Sequence, residues 1–447
     1  MEKIQIESFQ AINADIEIKK MVLLIGEQAS GKSTIAKLIY FFKSLKDEYI
    51  EFISKNLKNL NSIKELQELF WDQISRNFYR LFGSIQHFPY FKIQYFYSES
   101  KIITLDQGLW ENSNRKKLKI EFSSTLFNDT IRNMIPLIHK LRKLRQDSAK
   151  DDAFGYGQYR EVLEDFYRYI NELFEDNNRY HVFIPAGRNI TVNYANFFQQ
   201  NFFGNLSSEI ALIQDEEEKT TIPHFVKDTY LMMKFMQRVQ ILTDTFKGSD
   251  FEYLLADGSY PDYMKSVLDK IEEILKGKYK SDGRIGEIIV FNNEDYIQLE
   301  NSSSGQQEVI RILQDIFLVL LNKRNVFRVI EEPEAHLFPM AQKYLLEIIA
   351  IMLNNMDNQM ILTTHSPYIL SVVNNLIFAS ISKSDSQYKL DPSETTVYSL
   401  TDRQSKSLID PETGMIDQNA LDTISEDLAD EFEQMYRKYV AEKRISA

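Results

Sequence analysis

The chain has 447 residues, 43% of them hydrophobic, a net charge of −13 and no cysteine. That length buries one large core or two to three smaller ones, and the missing cysteine excludes disulfides and cysteine-ligated zinc and fits a reducing, cytoplasmic setting. The acidic balance argues against a chain that coats nucleic acid non-specifically, leaving only contact through a local basic patch. The start "MEKIQIESF" lacks the basic-then-apolar layout of a secretory signal. Apolar runs such as "IFLVLL" and "EIIAIML" fall far short of a bilayer span, so no membrane partner is expected.

Three strand-like runs, "KIQIESF", "ADIEIK" and "MVLLIG", lead into a glycine-bounded loop and the apolar-rich helix "STIAKLIYFF". From 41 to 85 the pattern is helical and charged. Strand-like pieces follow in "YFKIQYFYSESKIITL" and "KKLKIEFS", and 124–178 reads as helical again. "HVFIPAG" is a strand ending at a proline, and 193–277 is a third helical block with a loop near "DGSYPD". "EIIVF" and "DYIQLE" predict a hairpin turning at "NN". The last third alternates helix and strand, as a parallel α/β sheet does. No internal repeat and no sustained heptad pattern is present, so the helical blocks predict a compact lobe rather than long coiled coils. The expected fold is α/β, a mixed, mainly parallel sheet carrying a phosphate-binding loop. A discontinuous head (1–40, 86–123, 179–192 and 278–447) is interrupted by a helical insertion lobe (41–85, 124–178 and 193–277).

Residues Gly26 to Ser33 fit G-x-x-x-x-G-K-[ST], with Glu27, Gln28, Ala29 and Ser30 inside the loop and Thr34 just after it. Glycines let such a backbone close around phosphate oxygens with its N–H groups pointing inward, and the following helix start adds partial positive charge. Lys32 is placed to reach the β- and γ-phosphates of a nucleotide, and the Ser33 hydroxyl to ligate Mg²⁺. In "VFRVIEEPEAHLFP" an apolar run delivers Glu331 and Glu332 to a strand end, where ligands sit in parallel α/β sheets. Glu331 suits Mg²⁺, and Glu332 suits polarising the water that attacks the γ-phosphate. In "MILTTHSPYIL" His365 sits at the next strand end, about thirty residues on, suited to a hydrogen bond with the γ-phosphate or that water. In "NSSSGQQEVIRIL", Ser303, Ser304, Gly305 and Gln306 open an apolar helix. They read either as a second anion-binding helix start or as an ordinary serine N-cap.

Together these motifs resemble the ABC-type ATPases. "SSGQQ" is similar to their signature loop, "VIEEP" to their Walker B, "AHLF" (Ala335 to Phe338) to their D-loop, and His365 to their switch histidine. Roughly 270 residues separate the P-loop from the signature, which resembles the SMC, RecF and OLD branch rather than transporter ATPases. "PEAH" and "THSP" are closest to the OLD-like branch, which includes ATPases of bacterial antiphage systems of the Septu and retron type. The resemblance implies ATP and Mg²⁺ as ligands and nucleotide-driven association of two heads, the signature loop of one subunit capping the γ-phosphate of the other. By resemblance the chain is the sensing or regulatory ATPase of a defence system that controls a separate effector, a nuclease. The rival reading is a RecF- or SMC-like repair or recombination ATPase that clamps DNA. The sequence departs from the pattern in having Glu331 where many relatives have Asp, and Phe338 where the D-loop usually has Asp. Only about eighty residues follow His365, without a D-x-D in strand context, so no nuclease is expected in this chain. Gln94 is the candidate Q-loop glutamine. Arg188, in "IPAGRN", reads as a structural salt bridge or a phosphate contact. The runs Arg115–Lys119 and Lys140–Arg145 read as a solvated face or a contact for nucleic acid or a partner, and the acidic run at 215–219 as a loop.

Overall fold

A computed structural model describes residues 1–109, 115–148, 153–193, 224–256, 258, 260–291, 295–417 and 435. The acidic run at 215–219 and the "NN" turn lie outside these residues, as does part of the "DGSYPD" loop.

The strands are β1 (Lys3–Phe9), β2 (Ile12–Glu17), β3 (Met21–Gly26), β4 (Lys92–Phe96), β5 (Ile102–Leu109), β6 (Lys116–Phe122), β7 (Tyr180–Ile184), β8 (Lys278–Asp282), β9 (Gly286–Val290), β10 (Tyr296–Gln298), β11 (Val326–Glu331), β12 (Gln359–Thr364), β13 (Thr395–Thr401) and β14 (Gln404–Ser407). The α-helices are α1 (Lys32–Asn56), α2 (Ile63–Phe82), α3 (Ser124–Phe127), α4 (Met134–Ser148), α5 (Ala153–Leu173), α6 (Ile190–Asn193), α7 (His224–Phe246), α8 (Tyr263–Leu275), α9 (Ser304–Leu321), α10 (Pro339–Asn354) and α11 (Pro367–Ile381). The three expected helical blocks hold α2, then α4 and α5, then α7 and α8. The helix after the P-loop runs unbroken across residue 41 to Asn56.

Eleven of these strands form one mixed sheet in the order β6-β5-β4-β1-β2-β14-β13-β3-β12-β11-β7. Neighbours from β13 through β3, β12 and β11 to β7 are parallel. Those from β2 through β1, β4 and β5 to β6 are antiparallel. Burial explains the division. β11 "VFRVIE" and β12 "QMILTT" are buried at every position, as strands covered on both faces must be, whereas β1 and β4 alternate buried and half-exposed residues. The predicted hairpin of β9 and β10 forms and adds β8 in a separate three-stranded antiparallel sheet.

Helices cover both faces of the parallel half. Val22 and Leu24 of β3 pack in one core with Ile35, Leu38 and Ile39 of α1. Met21 and Leu23 pack in the other with Val309 and Leu313 of α9 and Leu345 and Ile349 of α10. Arg328, the charge inside β11, is neutralised by Asp315 of α9 at 2.6 Å, and Asp315 also holds Arg238 of α7 at 2.6 Å. The packing therefore sets the C-terminal ends of β3, β12 and β11 side by side, the position at which open α/β sheets bind ligands. Among the described residues no helix is long and apolar enough to cross a membrane.

Candidate nucleotide site

The loop after β3 is held open by sterics. Gly31 sits at φ 105°, and a Cβ there would meet Ile12 Cδ1 at 2.6 Å; one at Gly26 would meet the Leu400 carbonyl oxygen at 2.5 Å. Only glycine fits either position. Ala29 at φ 62° tightens the turn between them. Glu27, Gln28, Ala29 and Ser33 are exposed around the mouth, and the Thr34 hydroxyl donates to Gln10 Oε1 at 3.1 Å, tying the start of α1 to the β1–β2 turn.

Lys32 is 4% exposed. Its ammonium donates to the carbonyls of Gly26 at 2.8 Å and Glu27 at 2.7 Å and to Ser30 Oγ at 3.3 Å. Burial pushes its pKa down, opposed by the charges of Glu332 and Glu334. A cation buried among neutral acceptors, with the helix start beside it, is a site for an anion.

Glu331 closes β11 opposite Thr363 of β12 and is 6% exposed. Glu332 follows at φ 45°, its N–H donating to the Thr363 carbonyl at 2.9 Å. A non-glycine residue held left-handed costs roughly 1–2 kcal/mol. Here it turns the Glu332 carboxylate out of the sheet, where it is 40% exposed. His365, at the end of β12, joins the two halves of the site. Its Nε2 lies 3.3 Å from Glu332 Oε1 and its Nδ1 3.4 Å from Lys32 Nζ. Nδ1 facing an ammonium accepts, so the proton of the neutral ring sits on Nε2, toward the carboxylate.

The structure thus brings Lys32, Glu332 and His365 into contact, with Ser33 and Glu331 at the adjoining ends of α1 and β11. It adds Glu334, which the sequence reading passed over. Glu334 Oε1 accepts from the Thr364 hydroxyl at 2.6 Å and from the His365 backbone N–H at 2.8 Å. The available signal was a third carboxylate two residues past the pair in "EEPEAH", indistinguishable by type from a solvated charge.

Ser303 to Gln306 stand apart. Ser303 caps α9 in a reciprocal capping box with Gln306, whose Nε2 also donates to the Leu275 carbonyl at 2.6 Å. Both Ser303 and Ser304 are exposed. A Cβ on Gly305 would meet the His336 carbonyl oxygen at 2.6 Å, so glycine lets α9 lie against the Ala335–Phe338 turn. Among the described residues no hydrogen bond or ion pair joins this loop to residues 26–34. Phe338, at the position where the resemblance expects an aspartate, is 78% exposed.

One expectation needs correction. Gln94 does not reach the site: β4 is separated from β3 by β1, β2, β14 and β13, and Gln94 donates to Thr104 Oγ1 on the neighbouring strand at 3.3 Å. Of the two readings of Arg188, the structure has the salt bridge: it is fully buried and pairs with Glu308 at 3.4 Å. Of the basic runs, Lys119 pairs with Glu121 on β6, and Arg142 is spent on the carbonyls of Leu57 and Leu60 and on Asn61.

The donor set also fits Mg²⁺. Ser33 and Glu331 offer oxygen only, and Mg²⁺ takes one or two protein oxygens beside phosphate oxygens and water.

A glycine-shaped phosphate loop, a buried lysine and a carboxylate–histidine contact at adjoining strand ends define the P-loop class of ATPases. The chain belongs to the AAA ATPase domain family, whose model matches residues 1–370. Among solved structures, it is similar to an Smc head bound to the C-winged helix domain of ScpA. The identity is 13% over 91% of this chain and 96% of that one, with a TM-score of 0.40. It is also similar to an Smc head with an extended coiled coil, bound to the C-terminal domain of ScpA and derived from Pyrococcus furiosus (12% identity, 91% and 95% coverage, TM-score 0.36). A third is the SMC head domain from Thermotoga maritima (11% identity, 91% and 97% coverage, TM-score 0.33). No curated protein matches the sequence.

Proposed function

We propose that the chain is an ABC-type ATPase that hydrolyses ATP between two heads and uses the cycle to regulate a separate effector. The contact running from Lys32 through His365 to Glu332 carries this reading, because it aligns a phosphate-binding cation, a polar hydrogen-bonding ring and a general base. Gly26 to Thr34 cradle the phosphates, and Lys32 exchanges its loop carbonyls for β- and γ-oxygens. Ser33 and Glu331 hold Mg²⁺, which when bound neutralises charge on the β- and γ-phosphates. Glu332 accepts the proton of the attacking water, and His365 orients that water or the γ-phosphate. The loop of Ser303, Ser304, Gly305 and Gln306, whose two serines are exposed, caps the nucleotide of a second copy, which makes the working unit a head-to-tail dimer. The head comprises 1–40, 86–123, 179–192 and 278–447, and the remaining segments form the lobe that meets a partner. The "PEAH" and "THSP" motifs support an antiphage regulatory role with a nuclease as the separate effector; copurification with the products of neighbouring genes tests it.

Glu332→Gln tests the chemistry. The variant keeps Glu331 for Mg²⁺ and loses the base, so it should bind ATP with unchanged affinity, turn over about 100-fold more slowly or worse, and accumulate as closed dimers in size-exclusion chromatography with ATP. If Glu331→Gln gives the trapped dimer and Glu332→Gln does not, the two roles are reversed.

A further inference from the structure

We infer that Arg188 is a positioning residue that ties the first turns of α9 to the two carboxylates ending β11, so that engagement of the Ser303–Gln306 loop is transmitted to the placement of Glu332. This rests on the proposed reading in which that loop caps a nucleotide and Glu332 directs water.

The geometry joins three elements at one guanidinium. β7 stops at Ile184, whose ladder partner is Ile330. The carbonyls of Glu331 and Glu332 therefore continue past the last strand on that side, and buried carbonyls need donors. Arg188 supplies them: Nη1 donates to the Glu331 carbonyl at 2.6 Å and Nη2 to the Glu332 carbonyl at 3.0 Å. Nη1 also donates to the Pro185 carbonyl at 2.9 Å, which fixes the side chain to its own loop. The opposite edge faces α9. Nε donates to the Glu308 carbonyl at 3.1 Å, and the Arg188 backbone N–H donates to Glu308 Oε2 at 2.9 Å.

Glu308 lies in the same helix that Ser303 caps, one turn further in, and is 2% exposed. The capping box makes that first turn rigid. A shift of the exposed loop as it meets a phosphate therefore reaches Glu308 as a movement of the helix rather than as local fraying. From Glu308 it reaches Arg188, and from Arg188 the peptide units that hold Glu332 in its left-handed conformation. The Glu332 backbone is also held through its N–H to Thr363 and by the Ala335 N–H on its carbonyl, and its side chain by His365. A planar fork suits this task because one rigid group meets several fixed acceptors at once; lysine offers a point charge and no fork. Arg188 touches neither substrate nor metal in this account, so its effect is on turnover and not on binding.

The test uses the full chain and compares Arg188→Lys with Glu332→Gln and wild type. Nucleotide affinity is read by calorimetry, ATP-dependent dimer formation by size-exclusion chromatography, and hydrolysis per dimer by steady-state assay. Arg188→Lys should bind ATP and dimerise as wild type does while kcat per dimer falls by about 100-fold, the scale expected of a catalytic group misplaced by about an ångström, with KM unchanged. Wild-type turnover per dimer in a folded Arg188→Lys protein would overturn the inference, and so would a parallel loss of affinity and turnover, which a merely structural role predicts. If Arg188→Lys does not fold by its melting curve, Glu308→Gln decides. It keeps the side chain's shape and removes its charge, and it should lower kcat at unchanged affinity; unchanged kcat, or a joint loss of affinity and kcat, overturns the inference. Should Glu332→Gln itself hydrolyse normally, it is the underlying assignment of the base that fails, a result distinguishable from failure of the coupling alone.

Discussion

Glu334 fixes the site histidine through two short bonds to one oxygen, from the Thr364 hydroxyl at 2.6 Å and the His365 N–H at 2.8 Å. Glu334→Ala leaves that N–H and hydroxyl without their acceptor, which costs about 1–3 kcal/mol for the buried Thr364 hydroxyl, and frees the strand end that aims the imidazole. Turnover should fall by roughly 10- to 100-fold at that scale, while ATP affinity, set by the loop and Lys32, stays close to wild type. Glu334→Gln keeps a carbonyl oxygen at the same place and should be milder. Steady-state kinetics beside calorimetry check both, and normal turnover in a folded Glu334→Ala protein would remove Glu334 from the site. Lys32, Glu332 and His365 were legible in the sequence because each sits at a fixed step from a strand: a glycine loop after one, a carboxylate pair and a histidine at the ends of two others. Glu334 was not, since its role depends on a partner thirty residues away. Gln94 was misplaced because a glutamine in an alternating strand carries no mark of which strand lies beside the P-loop.

At the scale of elements, burial on both faces was readable from composition. "MVLLI" and "MILTT" are continuous apolar or β-branched runs, "VFRVI" is one broken only by Arg328, and they became adjacent parallel strands. Neighbour order was not readable, because pairing joins residues hundreds of positions apart: β13 lies beside β3, and the β1–β2 hairpin connects through β14. Nor was the way in which α1 is fastened to β7. His181 of β7 lies 2.7 Å from Asp47 of α1 and 3.0 Å from Asp176, which also holds Lys46 of α1 at 2.6 Å. The ring of Phe327 on β11 closes the remaining side. Burial pushes the imidazole pKa down, but the hydrogen bonds and charges of Asp176 and Asp47 outweigh it, and the net shift is upward from the ordinary 6.5. For Asp176 burial pushes up, but His181 and Lys46 outweigh it, and the pKa falls well below the ordinary 3.8. A raised histidine contributes stability that is full below 6.5 and is lost as pH rises through the folded value; a depressed aspartate contributes above 3.8 and loses it as pH falls. The clamp is therefore strongest between these limits. The melting temperature should decline as pH rises above 6.5, and His181→Gln, which does not titrate, should lower stability in the plateau and flatten that decline. A variant that keeps the wild-type slope would place its origin elsewhere.

For the whole molecule the observation behind the proposed dimer is that, among the described residues, no hydrogen bond or ion pair joins the Ser303–Gln306 loop to its own P-loop. Ser303 and Ser304 of this loop are exposed, Gln306 is bonded to the Leu275 carbonyl, and Phe338, one of the most exposed aromatic side chains among the described residues, stands on the turn against which Gly305 packs. A surface of this kind is finished by a second copy in the proposed head-to-tail dimer, and mixing two defective chains tests it. Lys32→Ala removes the phosphate cation, and Ser303→Arg blocks the capping loop; each homodimer should be inactive. In the mixed dimer one site carries both defects, while the other pairs an intact P-loop with an intact loop from the partner. Nucleotide should be occluded at that site even if steady turnover needs both. The heterodimer can be isolated with two affinity tags and its trapped nucleotide counted. About one nucleotide per dimer is expected from a single restored site acting across the interface. If the loop served its own chain's phosphates, both sites would remain defective, and a count near zero in a verified heterodimer would rule out the shared site.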